Sequence, residues 1–177
     1  KELSISEGIL VGGNGGRLLD SWRDDETAKL PEPMPGPDDF ATLQYTGGTT
    51  GLPKGVNITH GQMSVNLSQR EAFLPTRPDD ETVICIMPLF HVFASSMCLH
   101  LTAYCRGRLV ILARYRPDVV LDTIENENIT RLPAGPTVFN GLMGFEGFAG
   151  RNFSSLVTAY SGSAPLPEET LKQWEEL

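Results

Sequence analysis

The sequence predicts an α/β fold, a largely parallel sheet flanked by helices and preceded by a β-hairpin, and three observations predict it. From Thr82 onward, short apolar β-prone runs alternate four times with helix-compatible segments, three of which carry helix-start signals, which is the pattern of a parallel sheet covered by helices. Those signals are Pro117 with Asp118, then Pro136, then Pro167 with Glu168 and Glu169, each placing a ring or a negative charge where a first helical turn accepts it. Ahead of the alternation, two strand-like runs flank a Gly/Thr loop, the mark of a hairpin.

Taken in order, Gly12-Gly13-Asn14-Gly15-Gly16 and Pro31-Glu32-Pro33-Met34-Pro35-Gly36-Pro37 read as turns and an extended connector. Ala41 to Thr46 alternates as a strand, Gly55 to Ile58 reads as its partner, and Thr59 is placed to cap a helix whose Met63 and Leu67 share a face. The expected parallel strands are Thr82 to Met87, Arg108 to Leu112, Ile129 to Leu132 and Leu156 to Tyr160. Two parts are expected: residues 1–75, the end of one subdomain with its connector and hairpin, and residues 76–177, an α/β subdomain incomplete at its C-terminus. The chain opens on Lys1 without a Met and stops at Leu177 inside a helical pattern, so both ends read as cut.

Composition narrows the function. Hydrophobic residues are 40% and charged residues 20% of the chain, as in globular proteins rather than disordered ones. A net charge of −8 without a Lys/Arg run argues against nucleic acid or an anionic membrane as partner. No apolar run approaches the ~20 residues that span a bilayer, so a cytoplasmic protein is expected. Cys85, Cys98 and Cys105 lack metal-ligand spacing and read as buried free thiols. Oligomerisation stays open, since sheet edges can pair between copies.

In open α/β sheets ligands bind past the carboxyl ends of the strands. Past the first lies Pro88-Leu89-Phe90-His91, past the third Pro133-Ala134-Gly135-Pro136, and past the fourth Ser161-Gly162-Ser163-Ala164-Pro165. The sharpest local signal is Tyr45-Thr46-Gly47-Gly48-Thr49-Thr50-Gly51-Leu52-Pro53-Lys54-Gly55. Glycines let several N–H groups point one way, threonine hydroxyls add donors, and Lys54 brings a positive charge for phosphate oxygens. It is not a Walker A loop, because Pro53 precedes Lys54 and Gly55 follows it. By composition alone a ligand-free glycine turn fits as well. His91 taken alone reads more often as a packed or surface residue than as a catalytic one; its place after a strand end, between Phe90 and Phe93, sets it apart from His60 and His100.

The run from Leu43 to His60, LQYTGGTTGLPKGVNITH, resembles the phosphate-loop signature of the adenylate-forming superfamily of acyl-CoA synthetases, aryl-CoA ligases, luciferases and peptide-synthetase adenylation domains. MPLFHVFA, Met87 to Ala94, is similar to that family's second motif, and YSGSAPLP, Tyr160 to Pro167, to its adenine-binding motif. Order and spacing agree, and the resemblance covers residues 38–177. It is most like fatty-acyl-CoA synthetases.

The resemblance implies that Thr46, Gly47, Gly48, Thr49, Thr50, Gly51 and Lys54 face the phosphates of ATP, with Thr50 a candidate hydroxyl for ATP-bound Mg²⁺. It puts His91 by the acyl carboxylate and α-phosphate, assigns Lys54, His91 and Thr46 to catalysis, and runs Gly162, Ser163, Ala164 and Pro165 along the adenine. His91, Phe93 and Gly135 would line the acid. The implied reaction forms acyl-AMP and pyrophosphate from ATP and a carboxylic acid, most simply a fatty acid, and then a thioester with coenzyme A. Loading of a carrier protein, a non-catalytic nucleotide-binding module and a flavodoxin-like domain stay as alternatives. The Tyr-Gly-x-Thr-Glu run, the ribose-binding Asp, the hinge and the C-terminal lysine of that family have no counterpart here, so the chain alone is expected to be inactive.

Overall fold

The computed structural model describes residues 9–10, 17–18, 32–47 and 52–176. Its chain divides into two compact units, Lys1–Pro35 and Gly36–Leu177. In the first, strands β1 (Ile9–Leu10) and β2 (Arg17–Leu18) pair in parallel. Residues 11–16 and Pro31 lie outside the described residues, and with them the whole of the glycine turn expected at 12–16 and the first residue of the connector.

The second unit begins with the hairpin. Strands β3 (Phe40–Thr46) and β4 (Lys54–Thr59) pair antiparallel from Thr46↔Lys54 to Phe40↔Thr59, with an irregularity between Phe40 and Thr42. Helix α1 (His60–Phe73) follows at once, and Thr59 caps it as expected. The cap is reciprocal: Thr59 Oγ1 accepts from the Gln62 N–H at 3.3 Å, and Gln62 Oε1 accepts from the Thr59 N–H at 3.0 Å. A Thr with Gln three residues on is the capping-box pattern.

The alternation from Thr82 folds as four parallel strands, β5 (Thr82–Cys85), β6 (Arg108–Ile111), β7 (Arg131–Ala134) and β8 (Thr158–Ser161), in spatial order β6-β5-β7-β8. Strand β7 sits two residues beyond the expected Ile129–Leu132, and β8 begins two residues and ends one residue beyond the expected Leu156–Tyr160. Pro133 explains the first shift. A residue without an N–H is expected to end an inner strand, yet β7 runs through it because the β5–β7 ladder holds a single pair, Val83↔Arg131. Pro133 lies past that pair and faces Tyr160 in the β8 register.

Period-2 alternation divides the sheet into two faces. Ile84, Ile86, Leu132 and Ala134 pack against α3 (Pro117–Asn126), α4 (Pro136–Met143) and α5 (Glu168–Glu175) through Val120, Leu121, Ile124, Phe139 and Leu142. Trp174 meets Phe139 edge-on, ring centroids 4.9 Å apart. Pro117 and Pro136 open their helices in the first turn, whereas Pro167 is the residue before α5. Val83 and Cys85 face the other way, onto Ala94, Cys98 and Leu101 of the helix that follows β5. Helix α2 runs as α-helix over Val92–Ala94, as π-helix over Ser95–His100 and as α-helix again over Leu101–Cys105. All three cysteines are buried and free. The Cys98 thiol is held far above its usual range, first by its hydrogen bond with Cys85 and then by burial.

A buried ion pair closes the amino end of the sheet. Glu81, 2% exposed, lies with Oε1 3.0 Å from Nε of Arg131, itself 3% exposed. The same carboxylate accepts from the Arg77 N–H at 2.9 Å and from Thr130 Oγ1. Burial pushes the Glu81 carboxyl up, and the bonds from Thr130, Arg77 and Arg131 outweigh that, leaving it below the usual range.

Because the helix after β5 covers one face and the helices after β6 and β7 cover the other, the connections part between β5 and β7. That is a topological switch point, where the carboxyl ends of neighbouring strands open a crevice.

Candidate functional site

Four segments meet around that crevice. On the hairpin, Thr46 ends β3 opposite Lys54, and Thr46 Oγ1 donates to the Lys54 carbonyl at 3.4 Å. Lys54 is exposed, and a Cβ built on Gly47 meets nothing within 4 Å among the described residues. Thr46 and Lys54 thus stand as an exposed pair where the two strands of the hairpin end. Gly48, Thr49, Thr50 and Gly51 lie outside the described residues.

Past β5, Pro88–His91 turns back on itself through a His91 N–H to Pro88 carbonyl bond of 2.9 Å. His91 then caps α2: its Nδ1 accepts from the Phe93 N–H at 3.2 Å. An accepting Nδ1 puts the proton of a neutral ring on Nε2. His91 is exposed, and with Nδ1 engaged by the Phe93 N–H its Nε2 is the ring nitrogen left to meet a ligand. The π-helical turn starts four residues later, and such turns inside α-helices occur frequently at functional sites.

The ends of β7 and β8 form the opposite wall. The Gly162 N–H donates to the Ala134 carbonyl at 3.0 Å. A Cβ on Gly135 would lie 3.7 Å from the Gly162 carbonyl oxygen. Gly162 cannot bear a side chain in this packing, since its Cβ would stand 2.1 Å from Cε2 of Phe93. Bare backbone here lets the Phe93 ring lie directly against the strand end. Ser163 follows in the left-handed region at φ 67°, an uncommon conformation for a residue with a side chain and one that clusters at binding sites. Ala164 and Pro165 are exposed. Ser161 Oγ is buried with no hydrogen-bond partner among the described residues.

Of the residues singled out in the sequence, the structure thus gathers Phe93, Gly135 and Gly162 and holds His91 and Thr46 at the adjoining turn and strand end. Gln44 was not among them. Its Nε2 donates to the Phe90 carbonyl, tying the hairpin to the His91 turn. Gln44 stands two residues before Thr46 and so shares its strand face, which was the available signal. A separate cavity of about 180 Å³ lies between α1, α2 and β8, lined by Arg70, Met97, Arg131 and Tyr160 among others. Burial pushes the Tyr160 phenol up, and its O–H donates to the Met97 carbonyl at 3.0 Å. No group of three or more His, Cys, Asp or Glu among the described residues is arranged to hold a metal ion. None of the described helices is long and apolar enough to cross a membrane.

The family model described as AMP-binding enzyme matches residues 7–177. The chain belongs to the AMP-binding enzyme family. This AMP-binding chain is 32% identical over 157 residues to a long-chain-fatty-acid–CoA ligase of Bacillus subtilis, covering 88% of this chain and 28% of that protein. It is 32% identical over 152 residues to a feruloyl-CoA synthase of Amycolatopsis, covering 85% of this chain and 30% of that protein. Among solved structures, the N-terminal domain of FACL13 from Mycobacterium tuberculosis superposes with a TM-score of 0.79 at 25% identity, over 89% of this chain and 39% of that one. The o-succinylbenzoate coenzyme A synthetase of Bacillus subtilis in complex with AMP gives 0.69 at 27% identity, over 80% and 35%. The chain therefore spans under a third of the length of these curated relatives. The α/β architecture read from the sequence is that of this family's N-terminal domain.

Proposed function

We propose that the protein containing this chain activates a carboxylic acid with ATP, releasing pyrophosphate and forming an acyl-AMP, and then transfers the acyl group to coenzyme A. The observation that carries this reading is the meeting of three motif segments at one switch point: Gln44 bonded to Phe90, Phe93 laid on Gly162, and Gly162 bonded to Ala134. The relatives named above are acyl- and aryl-CoA ligases, which supports a thioester product. A fatty acid is our preferred substrate.

Two anions must be brought together for a carboxylate oxygen to attack the α-phosphorus, so positioning and charge neutralisation carry most of the rate. Thr46, Gly47, Gly48, Thr49, Thr50, Gly51 and Lys54 are assigned to the phosphates. Lys54 and Thr46 face each other across the strand ends from which that loop springs, which suits those roles. His91 donates from Nε2 to the carboxylate or the α-phosphate, with Phe93 and Gly135 beside the acid. Gly162, Ser163, Ala164 and Pro165 are assigned to the adenine, where glycine and a left-handed turn expose backbone. Mg²⁺ would arrive on the ATP phosphates and lower their charge, with Thr50 as a candidate hydroxyl beside it. Three buried free thiols suit a reducing compartment, and we place the reaction in the cytoplasm. By itself the 177-residue chain is proposed to lack turnover.

The test is carboxylate-dependent ATP–pyrophosphate exchange by the whole protein, with acids from acetate to palmitate plus benzoate and Lys54→Ala as control. Exchange with one acid class, collapsing in the variant, supports adenylation and names the substrate range. Absence of exchange with every acid, alongside retained ATP binding, would leave a nucleotide-binding module.

A further inference from the structure

We propose that Gln44 is a positioning residue that couples the phosphate hairpin to His91. The inference rests on the adenylation reading for its consequence, while its geometry stands independently of that reading.

Two hydrogen bonds bracket the His91 backbone. On its N-terminal side, the Phe90 carbonyl accepts from Gln44 Nε2; on its C-terminal side, the Phe93 N–H is taken by the His91 ring itself. The first is the one hydrogen bond among the described residues that runs from β3 or β4 to the Pro88–His91 turn, and it joins residues 46 apart in sequence. Phe90 contributes little else to holding the turn, because its side chain is 81% exposed. The turn has its internal His91-to-Pro88 bond, which shapes it but leaves its position relative to the hairpin free. Gln44 supplies that relation. A carbonyl accepts only, so the carboxamide must present its NH₂, and neither a Glu nor an apolar isostere can replace it.

The consequence is a link between the two halves of the reaction. Gln44 and Thr46 lie on one face of β3, so a phosphate-bound hairpin and the direction of His91 Nε2 are fixed together. Nucleotide seated on the loop thereby sets the donor that meets the acid.

The test has two arms. In the whole protein, ¹⁵N spectra of the His91 ring are compared for the unmodified protein, Gln44→Met and Gln44→Lys. The His91 signals shift or broaden in Gln44→Met and return toward the original in Gln44→Lys, which restores an N–H donor, while the melting temperatures of all three agree. Unchanged His91 signals in Gln44→Met overturn the proposal. In the whole protein, Gln44→Met lowers kcat for exchange about three- to tenfold, the range one lost hydrogen bond gives, with KM for ATP little changed. The same substitution made on His91→Ala has no further effect on kcat, because nothing remains to be positioned. Additive losses in that double variant would show Gln44 to act on general stability instead. If the whole protein shows no exchange at all, the adenylation reading falls and the ring spectra still decide the role of Gln44.

Discussion

The parallel sheet and the hairpin differ most in what water sees of them. Strand β7 is buried at all four positions, and Val83, Ile84 and Cys85 of β5 are fully enclosed. On the hairpin, by contrast, Phe40 is 71% and Tyr45 64% exposed, and Leu52 in the loop 78%. Helix α1, which follows it, holds no buried residue. Stability therefore resides in the sheet and its helices, while Thr46, Gly47 and Lys54 stand on an element that contributes little to the core. Exposed groups at the end of the hairpin are free to meet a ligand; groups in the sheet are committed to one another.

The widest separation should come from Glu81→Ala. Removing the carboxylate leaves Arg131 buried without its counter-ion, a loss of about 3–5 kcal/mol for pairs of this type, read by denaturant unfolding. The same pair governs acid stability. The folded Glu81 pKa lies below its ordinary value of 4.5, so its contribution is complete above that value and disappears as pH falls through the lower folded one. Glu81→Gln should flatten the acid limb of a stability curve below about pH 4.5.

Gly162→Ala tests the border between the two regions. With its Cβ placed 2.1 Å from Phe93, the ring must move, at about 1–3 kcal/mol, and a Phe93→Ala background should recover most of that loss. Thr59→Ala removes the cap of α1 and should lower stability by about 1 kcal/mol. Lys54→Ala should change stability by less than about 0.5 kcal/mol, as exposed substitutions do, while abolishing exchange by the whole protein. A large melting shift from Lys54→Ala would erase the contrast between sheet and hairpin.

Much of this was legible in the chain before folding. The four strand-helix repeats, the hairpin and the Thr59 cap follow from local periodicity and turn chemistry, and each appears where the residues place it to within about two positions. The capping box was readable too, from Thr59 and Gln62. What local reading could not reach were contacts between residues far apart. The donor at Gln44 looks like any strand glutamine until Phe90 is brought beside it, 46 residues on. Gly162 looks like a flexible turn until Phe93 occupies the place of its missing side chain.

Pro133 marks the limit from the other side. Locally, a residue without an N–H ends a strand; in the sheet, the β5–β7 ladder has already stopped at Arg131, so nothing is lost by continuing. By itself the sequence determined which segments become strands and helices and where glycine or proline must turn the chain, because those depend on neighbours within a few residues. The tertiary structure alone decided the order β6-β5-β7-β8, the crevice at its switch point and the side chains that meet there, because they depend on which distant surfaces bury one another.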